Sequence, residues 1–254
     1  KYLQGRGAYR VHGGGFAGTV QAFVPADSVE AFRENMEKAL GKGKGVRDES
    51  LDIFRFQQDC AHKYGLKTTI QITYASLFSD VIIEMAKAVK GLGIDTFVLD
   101  DGWFGHRDSD NSSLGDWFVY EKKVGSLRTL AEEINRKGLV FGLWFEPEMV
   151  NEDSKLFEEH PDWAIKSDIK EKSYGRNQLV LDLSRTEVQD YIIENVNYIL
   201  DNNNIEYVKW DMNRHISDVS SNYYHAGELP HRYMIGLYRV LREIIYTHPN
   251  VYFE

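Results

Sequence analysis

The sequence predicts an α/β protein, an incomplete (β/α) barrel of the TIM type preceded by a small amino-terminal α+β segment. Three observations predict it. Strand-like runs rich in Val, Ile and Leu alternate with helical patterns over most of the chain, as right-handed βαβ units on a parallel sheet require. The strongest polar clusters fall at the carboxyl ends of those runs, where α/β barrels build their sites. About six strand-like runs follow the first linker, fewer than the eight of a closed barrel. A doubly wound open sheet is the structural alternative, because it too places its sites at strand carboxyl ends.

Taken in order, residues 1–47 read differently from the rest. Gly13-Gly14-Gly15-Phe16-Ala17-Gly18 precedes a strand-like run from Thr19 to Val24 and then Pro25. A helix is expected from about Ser28 to Leu40, with Val29, Phe32, Met36 and Leu40 on one face, Asp27 as cap and Gly41 as stop. GKGKGVRDES is rich in glycine and charge and reads as a linker, which sets the expected domains at 1–47 and 48–254.

Beyond it the strand-like runs are LKTTIQITYA (66–75), DTFVLDD (95–101), LVFGLWFE (139–146), NQLVLDL (177–183), EYVKWD (206–211) and VYFE (251–254). Helical patterns fill the gaps. Residues 79–90 end at Gly91, and residues 126–137 carry Leu127, Leu130, Ala131 and Ile134 before Gly138. Residues 185–200 carry Val188, Tyr191, Ile192, Val196 and Ile199 behind a capping box from Ser184 to Glu187. Residues 231–246 carry Met234, Leu237, Tyr238, Leu241 and Ile245.

Composition narrows the function classes. A formal net charge of -9 gives no support for a nucleic-acid-binding surface. The single cysteine, Cys60, excludes an internal disulfide and a zinc site built on several thiolates. No apolar run approaches the ~20 residues that span a bilayer, and the first residues lack the apolar core of a signal peptide. A soluble cytoplasmic protein is expected. Aromatics make up 13% of the residues, with 15 Tyr and 5 Trp, and flat rings suit the C–H faces of a pyranose as well as a protein core.

Three runs carry chemistry. In YVKWDMNRH, period-two alternation delivers Lys209, Asp211 and Asn213 to one side of a strand and Trp210 to the other. A strand-tip aspartate flanked by a cation and an amide meets the needs of a carboxylate nucleophile, and equally those of a structural salt bridge. In LDDGWFGHRDSD, the adjacent Asp100 and Asp101 offer oxygen acceptors beside Trp103, suited to sugar hydroxyls, to a divalent cation, or simply to a turn. The following Asp108, Ser109, Asp110 and Asn111 read as a solvated loop without full EF-hand spacing. In GLWFEPEMV, Glu146 and Glu148 flank Pro147, which makes Glu146 a rival catalytic acid. Arg176 precedes a strand-like run, where a guanidinium pairs with a carboxylate or donates to a hydroxyl.

The runs FVLDDGWFG, SSLGDWFV, FGLWFEPEMV, HPDW, GRNQLVLDLSR and YVKWDMNRH, in this order, resemble the family 36 glycoside hydrolases, which are α-galactosidases. The resemblance covers about residues 84–254. It implies Asp211 as the nucleophile of a retaining mechanism, and Asp100, Asp101, Trp144, Arg176, Lys209 and Asn213 around the galactose; Trp210 of the same run completes the expected substrate-binding set. It demotes Glu146 to a supporting role. It implies a small oligosaccharide substrate of the raffinose or melibiose type, with no cofactor, no metal, no nucleic acid and no membrane. Two departures matter. The family's Cys-Ser-Gly-rich substrate loop and acid/base aspartate are expected after the strand ending in FE and are absent from this sequence, so impaired catalysis is expected. LKTTIQITYA also lacks the family's Asn-Trp-Glu run. Separately, GAYRVHGGGFAGTVQAFVP resembles the third conserved motif of galactokinases, over about 45 residues without their catalytic core.

Three readings stand: an α-galactosidase-type module; a non-catalytic sugar-binding or assembly fragment that pairs through an open barrel edge, giving a homo-oligomer; and a metal-dependent barrel enzyme using Asp100, Asp101 and Glu146.

Overall fold

The computed structural model describes residues 8–12, 19–23, 69–72, 79–91, 93–166, 172–221 and 223–254. The expected Gly-rich run at 13–18, the helix from Ser28, the linker and Cys60 lie outside the described residues. The chain divides into two compact units, Lys1–Leu66 and Lys67–Glu254. In the first, strands β1 (Ala8–His12) and β2 (Thr19–Phe23) pair antiparallel, Ala8 opposite Phe23 and His12 opposite Thr19.

The second unit is built on a five-stranded parallel sheet. Its strands are β3 (Thr69–Ile72), β4 (Thr96–Leu99), β5 (Val140–Phe145), β8 (Tyr207–Trp210) and β9 (Tyr252–Phe253), adjacent in that order. Helix α1 (Ser79–Lys90) joins β3 to β4; α2 (Glu121–Val124) and α3 (Leu127–Arg136) lie between β4 and β5. Helices α4 (Lys155–Glu159) and α5 (Thr186–Asn202) lie between β5 and β8, and α6 (Leu229–Thr247) joins β8 to β9. Every residue of β4 is buried, as are all of β5 but Val140, which is why these strands read as continuous apolar runs rather than alternating ones. The architecture is the α/β, TIM-type arrangement that the alternation predicts. Among the described residues no helix is long and apolar enough to cross a membrane.

Helix α3 begins where the sequence places it. Ser126 caps it by accepting the Thr129 backbone N–H at 3.2 Å, and Leu127, Leu130, Ala131 and Ile134 are buried. Three expectations need correction. NQLVLDL does not add a strand to the main sheet. Only Leu179–Val180 (β7) is extended, antiparallel to Met149–Val150 (β6), because Arg176 and Asn177 adopt φ of 51° and 61° and turn the chain at its start. The capping box before α5 is also not formed: Ser184 donates its hydroxyl to Asp182 Oδ1 at 2.5 Å, while Glu187 accepts from Arg185 Nε at 2.9 Å.

Helix α6 turns a different face to the core from the one read off the sequence. Leu229, Tyr233, Gly236, Val240 and Ile244 are buried, whereas Met234, Tyr238 and Ile245 are exposed. Both series have helical spacing, and Gly236 decides between them. A Cβ there would stand 1.8 Å from the Leu183 carbonyl oxygen, so the glycine lets this face approach the backbone after β7.

Candidate active site

The long connections after β4, β5 and β8 meet at the carboxyl end of the sheet, the end that α/β barrels use for chemistry. Asp211 is the first residue beyond β8, and its backbone N–H, donated to the Phe145 carbonyl at 2.8 Å, extends the ladder to β5. Strand register places Trp144 opposite Lys209, so the Trp144 indole lies across from the β8 tip. Its N–H is donated to Asp211 Oδ2 at 2.9 Å, and Asn213 Nδ2 is donated to the same oxygen at 2.8 Å. Asp211 Oδ1 accepts the Met212 backbone N–H at 3.0 Å. Burial opposes ionisation of this half-buried carboxyl. The donors Trp144 and Asn213 and the positive charge of Lys209 outweigh that cost and hold its pKa below the ordinary aspartate value.

Trp144 is itself fixed. Its carbonyl accepts the Trp103 indole N–H at 2.9 Å, and its ring stacks with Phe104 at an interplanar angle of 15°. Trp103, Phe104, Trp117 and Phe145 form one buried aromatic cluster. Trp103 is thus core rather than a wall beside the paired aspartates, and its indole supports the residue that touches Asp211.

Glu146, the first residue past β5, is 1% exposed. Its Oε1 accepts the Asn213 backbone N–H at 2.5 Å and its Oε2 accepts Gln178 Nε2 at 3.0 Å. Burial, with some help from the nearby Asp211 charge, raises its pKa to about 6 against the pull of those donors. Glu146 is therefore one hydrogen-bonded residue away from Asp211, as a supporting group.

The other expected residues divide. Asp100 is buried at the tip of β4. Asp101 is held by Arg107, Nε to Oδ1 at 2.8 Å and Nη2 to Oδ2 at 2.9 Å. Trp210 is not brought to Asp211: alternation sends it to the other face, where its indole N–H meets Glu148 Oε1 at 3.0 Å and Glu148 Oε2 accepts the Tyr233 hydroxyl at 2.5 Å. Arg176 is exposed, with Nη2 3.8 Å from Asp110 Oδ2. Among the described residues no three His, Cys, Asp or Glu side chains gather to hold a metal.

Sequence reasoning passed over the residues that tie these loops together. Arg107, almost fully buried, also donates to the Asp110 and Ser112 carbonyls and to Asn151 Oδ1, joining the β4 loop to the β5 loop. Arg214, four residues past β8, donates to the Gln178 carbonyl at 3.0 Å. Its signal was faint: each is a single arginine in a polar run, and only the paired aspartates near Arg107 hinted at a partner.

Comparison with known proteins places most of the chain in one family. The Melibiase family model matches residues 66–254. The chain is 48% identical over 188 residues to alpha-galactosidase AgaA of Geobacillus stearothermophilus, which spans 72% of this chain and 26% of that protein. It is 45% identical over 185 residues to the bifunctional alpha-galactosidase/sucrose kinase AgaSK of Mediterraneibacter gnavus, covering 72% of this chain and 19% of AgaSK. Among solved structures, an AgaA variant in complex with raffinose aligns with a TM-score of 0.71 and 46% identity, over 74% of this chain and 27% of that one. The chain spans about a quarter or less of the length of the relatives named here.

Proposed function

The chain belongs to the Melibiase family, and from that premise we propose that it is the nucleophile-bearing part of a retaining glycoside hydrolase for terminal α-D-galactosides of the raffinose or melibiose type. The observation that carries the proposal is Asp211: a strand-tip carboxylate kept ionised by Trp144, Asn213 and Lys209. In this reading Asp211 attacks the anomeric carbon and forms a glycosyl ester, while a carboxylic acid about 5 Å away protonates the leaving oxygen and then activates water. Asp100 and Asp101 accept from galactose hydroxyls, and Arg176, Lys209 and Asn213 complete the polar lining. AgaA crystallised with raffinose supports the substrate class.

Of the carboxylates expected at the site, Glu146 accepts from Asn213 and Gln178, and Asp101 accepts from Arg107. We therefore propose that the 254-residue polypeptide hydrolyses unactivated α-galactosides slowly for want of a proton donor, a contribution of ~10²–10⁴ in rate. The test is release of phenol from an aryl α-galactoside by the polypeptide and by its Asp211→Asn variant; equal rates in the two would end the proposal.

A second reading, assembly through the sheet edge at β9, is favoured by Tyr252, 70% exposed and stacked on Tyr207. Size-exclusion chromatography decides it, since a clean monomer contradicts pairing through that edge.

A further inference from the structure

Two donors converge on Asp211 Oδ2, and both are governed from the tip of β5. Trp144 reaches the oxygen directly, whereas Asn213 reaches it with a side-chain amide whose own backbone N–H is donated to Glu146. Glu146 has its second oxygen on Gln178, and the Gln178 carbonyl is in turn held by Arg214. Among the described residues the remaining amide oxygen of Gln178 is buried without a hydrogen-bond partner, so it is the bond to Glu146 that orients this amide. A buried carboxylate is a costly way to pin a turn, since an ion taken out of water loses its hydration. It has one property a neutral side chain lacks: both oxygens accept and neither donates. Two N–H groups arriving from different loops, one from Asn213 and one from Gln178, need that property. A glutamine at the same place would set a donor against one of them.

We propose that Glu146 is a positioning residue for the reaction, fixing the Asn213 main chain so that the Asn213 amide holds Asp211 in the orientation for attack. This rests on Asp211 being the nucleophile. The consequence is specific: the positioning runs through the Asn213 side chain, so that, apart from the weaker direct interaction of the two charges, the influence of Glu146 on Asp211 disappears when that side chain is removed.

The experiment uses the whole 254-residue chain and a fluorinated α-galactosyl fluoride. The Asp211 carboxylate attacks C1, the C1–F bond breaks with its electron pair leaving on fluoride, and a glycosyl ester remains. No proton donor is needed. The rate of ester formation is followed by intact mass and the modified residue by peptide mapping, in wild type, Glu146→Gln, Asn213→Ala and the double variant. Glu146→Gln is expected to slow labelling of Asp211 about 10- to 100-fold, as a misplaced reacting group does. In the Asn213→Ala background the same substitution is expected to change the rate by less than about twofold, because the two act along one path. Equal rates in wild type and Glu146→Gln, or the same fold loss in both backgrounds, overturns the positioning role while leaving Asp211 as nucleophile. A wild-type label on another residue, or none, overturns the nucleophile and with it this inference. If Glu146→Gln does not fold, Gln178→Ala, which removes the other anchor of Glu146, is read by the same cycle and the same outcomes.

Discussion

The tips of β5 and β8 each end in a carboxylate, and the two are joined through Asn213, yet their proton affinities move in opposite directions. Glu146 is almost completely buried and accepts two neutral donors; burial wins and its pKa rises to about 6. Asp211 is half-buried and receives three donors plus the field of Lys209; the donors win and its pKa falls. One residue class on two adjacent strand ends is therefore tuned in opposite senses by the balance between desolvation and donated hydrogen bonds. The β8 carboxylate is ready to act as an anion, and the β5 carboxylate is suited to hold its neighbour in place.

The largest expected effect extends the comparison to the third tip, β4. Asp101 owes its place to Arg107, and Arg107→Met takes a donor from the carboxylate, from the Asp110 and Ser112 carbonyls and from Asn151 Oδ1, which keeps the Leu114 N–H. Loss of about 3–5 kcal/mol in denaturant unfolding is expected, as for other broken buried pairs; a loss below ~1 kcal/mol would mean the clamp is dispensable.

Next is Trp144→Phe, which keeps the ring but deletes one of the two donors on Asp211 Oδ2. A hydrogen bond to a charged group is worth about 1.5–3 kcal/mol, so labelling by the galactosyl fluoride should slow by roughly tenfold or more. The acid limb of its rate profile should move to higher pH. An unmoved limb would show that the indole does not set the ionisation of Asp211.

Glu146 and Asp211 also predict opposite pH responses of stability. Glu146 is raised from 4.5 to about 6, so the native state binds the proton more tightly than the unfolded one. Its ionised form costs about 2 kcal/mol at neutral pH, a cost relieved as pH falls from about 7 to 4.5. Wild type should accordingly gain on Glu146→Gln by about that amount over this window. Asp211 is depressed, so its contribution is present above the unfolded value of 3.8 and lost as pH falls through the folded one. A wild-type to Glu146→Gln difference that stays flat from pH 7 to 4.5 would break the contrast.

The smallest effect concerns the other face of β8. Tyr233→Phe removes one of the two donors to Glu148 while Trp210 keeps its own, so about 1 kcal/mol of stability should be lost with labelling of Asp211 unchanged.

How much of this was legible in the sequence depended on range. The parallel sheet was readable because β4 and β5, covered on both faces, need continuous apolar runs. Asp211 was readable because strand alternation fixes its neighbours Lys209 and Asn213. The partners that tune it were not, since Trp144 is 67 residues away and Glu146 meets Asn213 across the same gap. NQLVLDL looked like a strand of the main sheet because propensity says nothing of the left-handed turn at Arg176 and Asn177. On α6 two stripes competed, and the choice lay in a contact between Gly236 and Leu183 that no helical period records. Trp103 read as a ligand surface because composition cannot tell a ring that faces solvent from one packed on Phe104 and Phe145.

The most direct test of the central claim is to find which residue carries the sugar. The polypeptide is incubated with the fluorinated α-galactosyl fluoride, digested, and the modified peptide sequenced by mass spectrometry. One galactosyl group on Asp211, absent from Asp211→Asn, is the predicted result. A label on Glu146, or modification that persists in Asp211→Asn, would contradict the account.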